Sequence, residues 1–247
     1  MNRQGSQVEA KAVFVRRMFG DIAARYDLLN SVLSFGLDAG WRRFAVAQCR
    51  LTSNGLALDA ATGTGALARC LARQDHEGTV VAVDFSPQML AGARNRMDAK
   101  YNGGQIHLAM ADVLRLPFPD DTFDSITMGF ALRNVDSIQK AFEEMARVAK
   151  PGGRVVCIEL TRPSASLPRA LHSLYLRHIG RRIGSFISGN KEAYAYLPDS
   201  IRRFPPDGEV QQMMETAGLA RAQAHHLALG AATVYVGVKD AVRSVAR

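Results

Sequence analysis

Three short apolar runs between residues 56 and 112 each lead into an aspartate, and helical stretches separate them. Leu56-Ala-Leu-Asp59 comes first and Thr79-Val-Val-Ala-Val-Asp84 second. Ile106 to Met110 is the third, with Asp112 just past its end. A glycine-rich turn and a helix from about Ala66 to Arg73 follow the first run. A helix from Ser86 follows the second, with Pro87 at its first position, where a missing N–H costs nothing. Apolar, β-branched runs alternating with helices at this spacing imply right-handed βαβ units and a parallel sheet. Phe123 to Phe130 reads as a fourth strand. A helix from about Ser137 to Ala149 stops at Pro151-Gly-Gly153, and Arg154 to Leu160 is a fifth strand. After a helix near 207–217, two runs, 222–229 and 231–238, meet around Gly230 as a closing antiparallel hairpin. The expected architecture is α/β and Rossmann-like: a mostly parallel seven-stranded sheet with helices on both faces and a C-terminal antiparallel hairpin.

Ahead of this pattern, residues 8–51 read as helices, with Val13 to Ile22, Tyr26 to Phe35, and Trp41, Phe44 and Val46 at helical spacing. Gly36 and Gly40 punctuate them. At 247 residues the chain fits one large domain. We divide it into a helical lid over 1–50 and a cofactor domain over 51–247, with a helical insertion at about 162–205. The three cysteines, Cys49, Cys70 and Cys157, have no disulfide or zinc spacing, so a reducing compartment is expected. Met1 to Lys11 is polar and no stretch is long and apolar enough to span a bilayer, so the expectation is a cytoplasmic protein. The net charge of +8 is uneven: Arg162, Arg169, Arg177, Arg181, Arg182 and Lys191 come with no acid between Leu160 and Lys191. The segment 165–188 also carries an apolar helical face. It is therefore a candidate for peripheral contact with an anionic inner-membrane surface.

The loop Asp59-Ala60-Ala61-Thr62-Gly63-Thr64-Gly65 lies where parallel sheets bind ligands, at a strand's carboxyl end. Glycines there take positive φ and admit a close ligand. Gly63-x-Gly65-x-x-Ala68, with Asp84 further on, also fits a nicotinamide dinucleotide. In either reading Asp84 offers two acceptors to a ribose diol. Three features favour S-adenosylmethionine. Asp59 would repel a pyrophosphate but suits a cationic ligand. Asp112 is placed to accept from an adenine amino group, with Val113 against the ring. No second half exists to hold a nicotinamide. Phe85 and Met89 complete the expected adenosine pocket, although Met89 is equally readable as core.

The resemblance becomes specific in a set of further motifs. These are Phe19-Gly-Asp-Ile-Ala-Ala-Arg-Tyr-Asp-Leu-Leu-Asn30, Ser34-Phe-Gly36, Trp41-Arg-Arg-Phe44, Leu116-Pro-Phe-Pro-Asp-Asp-Thr-Phe-Asp124, Phe130-Ala-Leu-Arg-Asn-Val135, Lys150-Pro-Gly-Gly-Arg154 and Tyr194-Ala-Tyr-Leu-Pro-Asp199. From about residue 13 to residue 238 the chain resembles the ubiquinone/menaquinone biosynthesis C-methyltransferases, which act on demethylmenaquinol or polyprenyl-benzoquinol. The resemblance implies a class I methyltransferase fold, with cofactor contacts at Thr64, Asp84, Asp112 and Val113. Gly129 stands where this family usually has serine, so a cofactor contact there is to backbone or water. The implied substrate is a prenylated quinol. A homodimer is compatible with the sequence.

C-methylation of a quinol requires the ring beside the methyl donor, exclusion of water, and loss of the hydroxyl proton. Arg133, Asn134 and Tyr26 are the candidate catalytic residues. Arg133 would stabilise a phenolate, or activate a water; it is a poor literal base because a guanidinium does not give up its proton near neutral pH. Asn134 would position a ring oxygen, and Tyr26 would relay a hydrogen bond from the lid. An ion pair from Arg133 to Asp136 or Asp27 is the structural alternative, and Glu159, at the end of the fifth strand, could be functional or a cap. No ligand cluster for a metal is present. Nucleic acid is excluded as a partner, since Phe204-Pro-Pro206 lacks the amide of a base-methylating motif and no aromatics interleave the basic run. Two rivals stay open: a methyltransferase of the same fold acting on another phenol, sterol or natural-product ring, and a nicotinamide oxidoreductase.

Overall fold

The computed structural model describes residues 26–97, 105–163 and 191–240. Helices α1 (Tyr26–Leu33) and α2 (Leu37–Cys49) precede the sheet. Strand β1 (Leu56–Ala60), helix α3 (Ala66–Gln74), strand β2 (Thr79–Asp84), helix α4 (Pro87–Arg96) and strand β3 (Ile106–Met110) follow. Then come β4 (Phe123–Gly129), a 3-10 turn (Leu132–Asn134), α5 (Ile138–Val148), β5 (Ala149–Leu160), α6 (Lys191–Arg203), α7 (Asp207–Thr216), β6 (Leu219–Leu227) and β7 (Ala232–Lys239).

The seven strands form one sheet in the order β3-β2-β1-β4-β5-β7-β6. The first five are parallel, β7 runs antiparallel to β5, and β6 antiparallel to β7. The strand order reverses between β1 and β4, and a crevice opens there at the carboxyl ends. Central strands are covered on both faces, so Leu56–Ala60 and Phe123–Gly129 are buried along most of their length rather than at alternate positions. On one face, Phe142 and Met145 of α5 and Val210 and Met214 of α7 pack on Leu58, Ile126 and Tyr235. On the other, Ala45 and Val46 of α2 and Leu67 and Leu71 of α3 pack on Ala57, Val80, Val156 and Val234.

Local chemistry sets the helix starts. Ser86 accepts from the Met89 N–H at the start of α4, with Pro87 at its first position. Ser137 caps α5 through Lys140 N–H. Arg147 fixes the β3–β4 connection by donating to the carbonyls of Leu116 and Phe118 and to the carboxylates of Asp120 and Glu144. One boundary differs from the sequence reading. Strand β5 begins at Ala149, not Arg154, because Pro151-Gly-Gly153 is a register shift inside the strand. A side chain at Gly153 would lie 2.7 Å from the Lys150 carbonyl, so the chain folds tightly there without leaving the sheet.

The 165–188 segment and the helix expected over Val13 to Ile22 lie outside the described residues, as does the side chain of Tyr26 at the start of α1. No described helix is long and apolar enough to cross a membrane.

Candidate active site

The loop after β1 is shaped by Ala61, Gly63 and Gly65, all at positive φ. A β-carbon on Gly65 would come within 3.0 Å of Met97 and 3.3 Å of Ala93, so α4 packs directly on the loop backbone. Behind the loop, Asp59 is fully buried. Its carboxylate accepts from Thr62 Oγ1 (2.5 Å), Thr127 Oγ1 (2.7 Å) and the Ala68 N–H (3.0 Å). Burial pushes its pKa up to about 6 against these three bonds. Asp59 thus fills the amino end of α3 from within. A dinucleotide pyrophosphate docks on free amides at that end, so the arrangement disfavours one.

Asp84 ends β2. One oxygen accepts from the Gly63 N–H (2.8 Å) and the other from the Ser86 N–H (2.9 Å). Burial raises its pKa. Each oxygen keeps acceptor capacity toward the crevice, as a vicinal diol requires. Thr64 donates to the Asp27 carboxylate of α1 at 2.5 Å. Asp27 also pairs with Arg96 (3.0 Å) and lies 3.8 Å from Arg69. The first described helix is therefore fastened to the cofactor loop.

A cavity at the β1/β4 reversal is lined by Asp59, Gly63, Thr64, Asp84, Met89, Gly129 and Asn134 among the residues singled out from sequence. Ala60 and Gly65 supply its flanking backbone. Phe85, Asp112 and Val113 are not among its lining residues; they follow β2 and β3, which meet where Ala111 N–H donates to the Asp84 carbonyl (3.2 Å). Asp112 is exposed and accepts from Leu114 N–H (2.9 Å), while Val113 packs into the core. At Gly129 a β-carbon would fall 2.4 Å from Leu67 Cδ1. Leu67 occupies the space that a serine side chain would need.

Arg133 lies apart from this cavity. Its guanidinium is in a buried ion pair with Glu159, and its own N–H donates to the same carboxylate (3.1 Å). It borders a separate cavity with Tyr196, Asp136 and Arg203. Asn134, the next residue, does reach the first cavity. Its amide donates to the Phe130 carbonyl (3.2 Å), and its Oδ1 is buried with no protein partner.

The sequence reading missed a second cavity of about 360 Å³, walled by Leu33, Phe35, Leu37, Trp41, Leu160, Leu197 and Ile201 and by the polar side chains Asn30, Ser34 and Asp38. Phe130 lines both cavities and sits at φ 57°, strained for an aromatic residue. Arg42 lies with its guanidinium carbon 5.6 Å from the Phe130 ring centre and lines the first cavity. Its partner is Asp38 at 2.6 Å. The Asp38-x-x-x-Arg42 spacing, preceded by Ser34 at the same interval, puts all three on one side of the helix start.

The sheet order, the crevice at its reversal and the acids ending β1 and β2 define a Rossmann-like methyltransferase fold. Solved structures agree on the fold: a SAM-dependent methyltransferase from Thermotoga maritima superposes with a TM-score of 0.62 at 19% identity, over 92% of this chain and 100% of the other. Another from Aquifex aeolicus gives 0.58 at 20% identity, over 80% and 88%. At the level of sequence the match is closer and more specific. The chain belongs to the ubiE/COQ5 methyltransferase family, whose model matches residues 6–239. It is 42% identical to the ubiquinone/menaquinone biosynthesis C-methyltransferase UbiE of Geotalea daltonii, over 91% of this chain and 96% of that one. It is 43% identical to a demethylmenaquinone methyltransferase of Roseiflexus castenholzii, over 94% and 95%. The protein is a methyltransferase, and family and fold together imply S-adenosylmethionine as donor.

Proposed function

We propose that this enzyme transfers a methyl group from S-adenosylmethionine to a ring carbon of a prenylated quinol. The observation that carries the reading is Phe130, the shared wall of a polar cavity at the strand ends and a larger apolar one. A charged nucleoside and a water-insoluble tail need such different linings, and they must meet at one point for methyl transfer.

The residues present fit the donor. Asp84 supplies two acceptors for the ribose hydroxyls. The Gly63–Gly65 backbone lets a ligand approach without a side chain between. The unpartnered Asn134 Oδ1 offers a buried acceptor beside it. Asp112, Val113, Phe85 and Met89 would close the adenine end. When bound, this cofactor supplies an electrophilic methyl on a sulfonium.

The chain's own residues do the rest. Trp41, Leu37, Leu197 and Ile201 exclude water from the ring and seat the start of the tail. Asn134 fixes a ring oxygen or the cofactor's amino group. Arg133, held by Glu159, acts by fixing the 3-10 turn that carries Asn134. Tyr26 relays a hydrogen bond from the lid. Peripheral membrane contact through 165–188 completes the reading, because the tail must be drawn from a bilayer. Replacing Arg177, Arg181 and Arg182 with glutamate should weaken binding to anionic liposomes at low salt, and unchanged binding would remove that element.

A thermal-shift comparison tests the donor assignment. S-adenosylhomocysteine should raise the melting temperature and NAD should not. Stabilisation by NAD alone would overturn the reading.

A further inference from the structure

Quinol methylation needs a proton acceptor for the ring hydroxyl, and the described titratable groups at the two cavities are few. Asp59 and Asp84 line the polar cavity. Asp59 commits its oxygens to Thr62, Thr127 and Ala68, with no exposed surface. Asp84 holds the glycine loop and lies at the end of β2, where the nucleoside belongs. Arg42 also lines the polar cavity, but a guanidinium is never an effective base near neutral pH. Arg133 faces Glu159 and a different cavity.

Asp38 is the carboxylate among the residues that wall the apolar cavity. It is 5% exposed and lines that cavity. One oxygen accepts from Arg42 (2.6 Å) and the other from Ser34 Oγ (3.0 Å), and its own N–H donates back to Ser34 Oγ (3.2 Å). The Arg42 bond runs along one turn of α2 and the Ser34 bond reaches back to the turn before it, so the carboxylate is held from both sides. Arg42 in turn carries the network across to Phe130 and the polar cavity. Asp38 and Phe130 line the same cavity as Trp41, Leu197 and Ile201, so a ring and the start of its tail seated there share that cavity with the carboxylate.

We infer that Asp38 is the catalytic base for the ring hydroxyl, with Arg42 and Ser34 as its positioning residues. The inference rests on the prenylated-quinol reading above. The hydroxyl O–H bond breaks, its electron pair stays on the ring oxygen, and its proton goes to Asp38. The pair delocalises to the neighbouring ring carbon, which becomes the nucleophile. Once that carbon is methylated it loses its own hydrogen as a proton. The ring oxygen then recovers the proton held by Asp38, so the carboxylate is regenerated and one proton is released overall. Arg42 compensates the charge of Asp38 in a poorly solvated place.

The test compares Asp38→Asn, Asp38→Glu and wild type on two prenylated naphthoquinols, one plain and one carrying ring fluorine, which makes the hydroxyl more acidic. Asp38→Asn should lower kcat on the plain quinol by on the order of 10²–10³-fold, the usual worth of a positioned general base. Its KM and its calorimetric Kd for S-adenosylhomocysteine should stay within about threefold, a change of under ~1 kcal/mol. The fluorinated quinol should recover at least about tenfold of the loss, because a more acidic hydroxyl needs less help. Asp38→Glu should retain part of the activity. If wild type methylates the quinol and Asp38→Asn does so at a similar kcat, Asp38 is not the base. An equal loss on both quinols assigns it a structural role and likewise overturns the inference. If wild type binds S-adenosylhomocysteine but methylates neither quinol, the substrate reading fails instead.

Discussion

The hydroxyl of Thr64, in the cofactor loop, donates to the carboxylate of Asp27, in the first described helix, at 2.5 Å. The same helix supplies Asn30 and Leu33 to the wall of the apolar cavity. The glycine-rich loop and the apolar cavity are therefore joined through the Asp27 side chain.

Asp27→Ala should loosen that joint. Thr64 loses its acceptor, and Arg69 and Arg96 lose a carboxylate. Asp27 is partly exposed, so the effect is modest: a 3–10-fold weaker Kd for S-adenosylhomocysteine, about 1 kcal/mol. Calorimetry checks it. An unchanged Kd would show that the loop keeps its shape without the helix.

Gly129 and Leu67 should behave as a pair. A β-carbon at 129 would overlap Leu67 Cδ1, and Leu67 is buried at the rim of the same cavity. In Gly129→Ser the leucine must turn, into the space the cofactor needs. We expect at least about tenfold weaker S-adenosylhomocysteine binding, with a stability cost of ~1–3 kcal/mol. Adding Leu67→Ala should restore much of the binding. Additive losses in this double-mutant cycle would mean that the two residues do not compete for space.

Most of this architecture was legible from residues close in sequence. The strands and the acids ending β1 and β2 follow from short β-branched runs and glycine-marked turns, which are local signals. What stayed hidden is what depends on distant pairing. Asp59 meets Thr127 only because β1 and β4 are neighbours, and Arg133 meets Glu159 only because the 3-10 turn sits over the end of β5. From sequence alone Arg133 belonged equally well with Asp136 or Asp27. Asp38 and Arg42 were findable by their helical spacing, but Trp41, Phe44 and Val46 drew that stretch into a purely apolar reading. Pro151-Gly-Gly153 reads as the break between helix and strand, but β5 begins at Ala149 ahead of it, because parallel pairing with β4 continues on both sides.

Asp59 should make the fold's stability fall as pH rises. An aspartate in the unfolded chain ionises near ~3.9, whereas burial holds Asp59 at about 6. Between these values the folded chain keeps a proton that the unfolded chain has lost, so ionisation opposes folding. The cost is absent below pH ~4 and complete above pH ~6, where it reaches roughly 3 kcal/mol. Subtracting Asp59→Asn from wild type in urea titrations at several pH values isolates it, since other groups cancel. A pH-independent difference would contradict the assignment.

Breaking the Arg133–Glu159 pair should cost more than a surface ion pair. The Arg133 side chain is 6% exposed and that of Glu159 fully buried. Glu159→Ala leaves a buried guanidinium without its carboxylate, at a cost of ~3–5 kcal/mol. Glu159→Gln, which still accepts from the Arg133 N–H, should lose less stability. Denaturation curves measure both. Because the pair anchors the turn bearing Asn134, kcat should fall with stability held by low temperature. A stable Glu159→Ala protein would show that the pair contributes little to holding that turn.

The reaction proposed for this enzyme is methyl transfer to a ring carbon of a prenylated quinol. It is tested most directly by incubating the purified protein with reduced demethylmenaquinone and S-adenosylmethionine bearing a deuterated methyl group, then fragmenting the product by mass spectrometry. A quinone heavier by one labelled methyl is expected, with the label retained on the ring carbon after acid cleavage of any ether. Label on oxygen, or no labelled quinone from a protein that still binds S-adenosylhomocysteine, would contradict it.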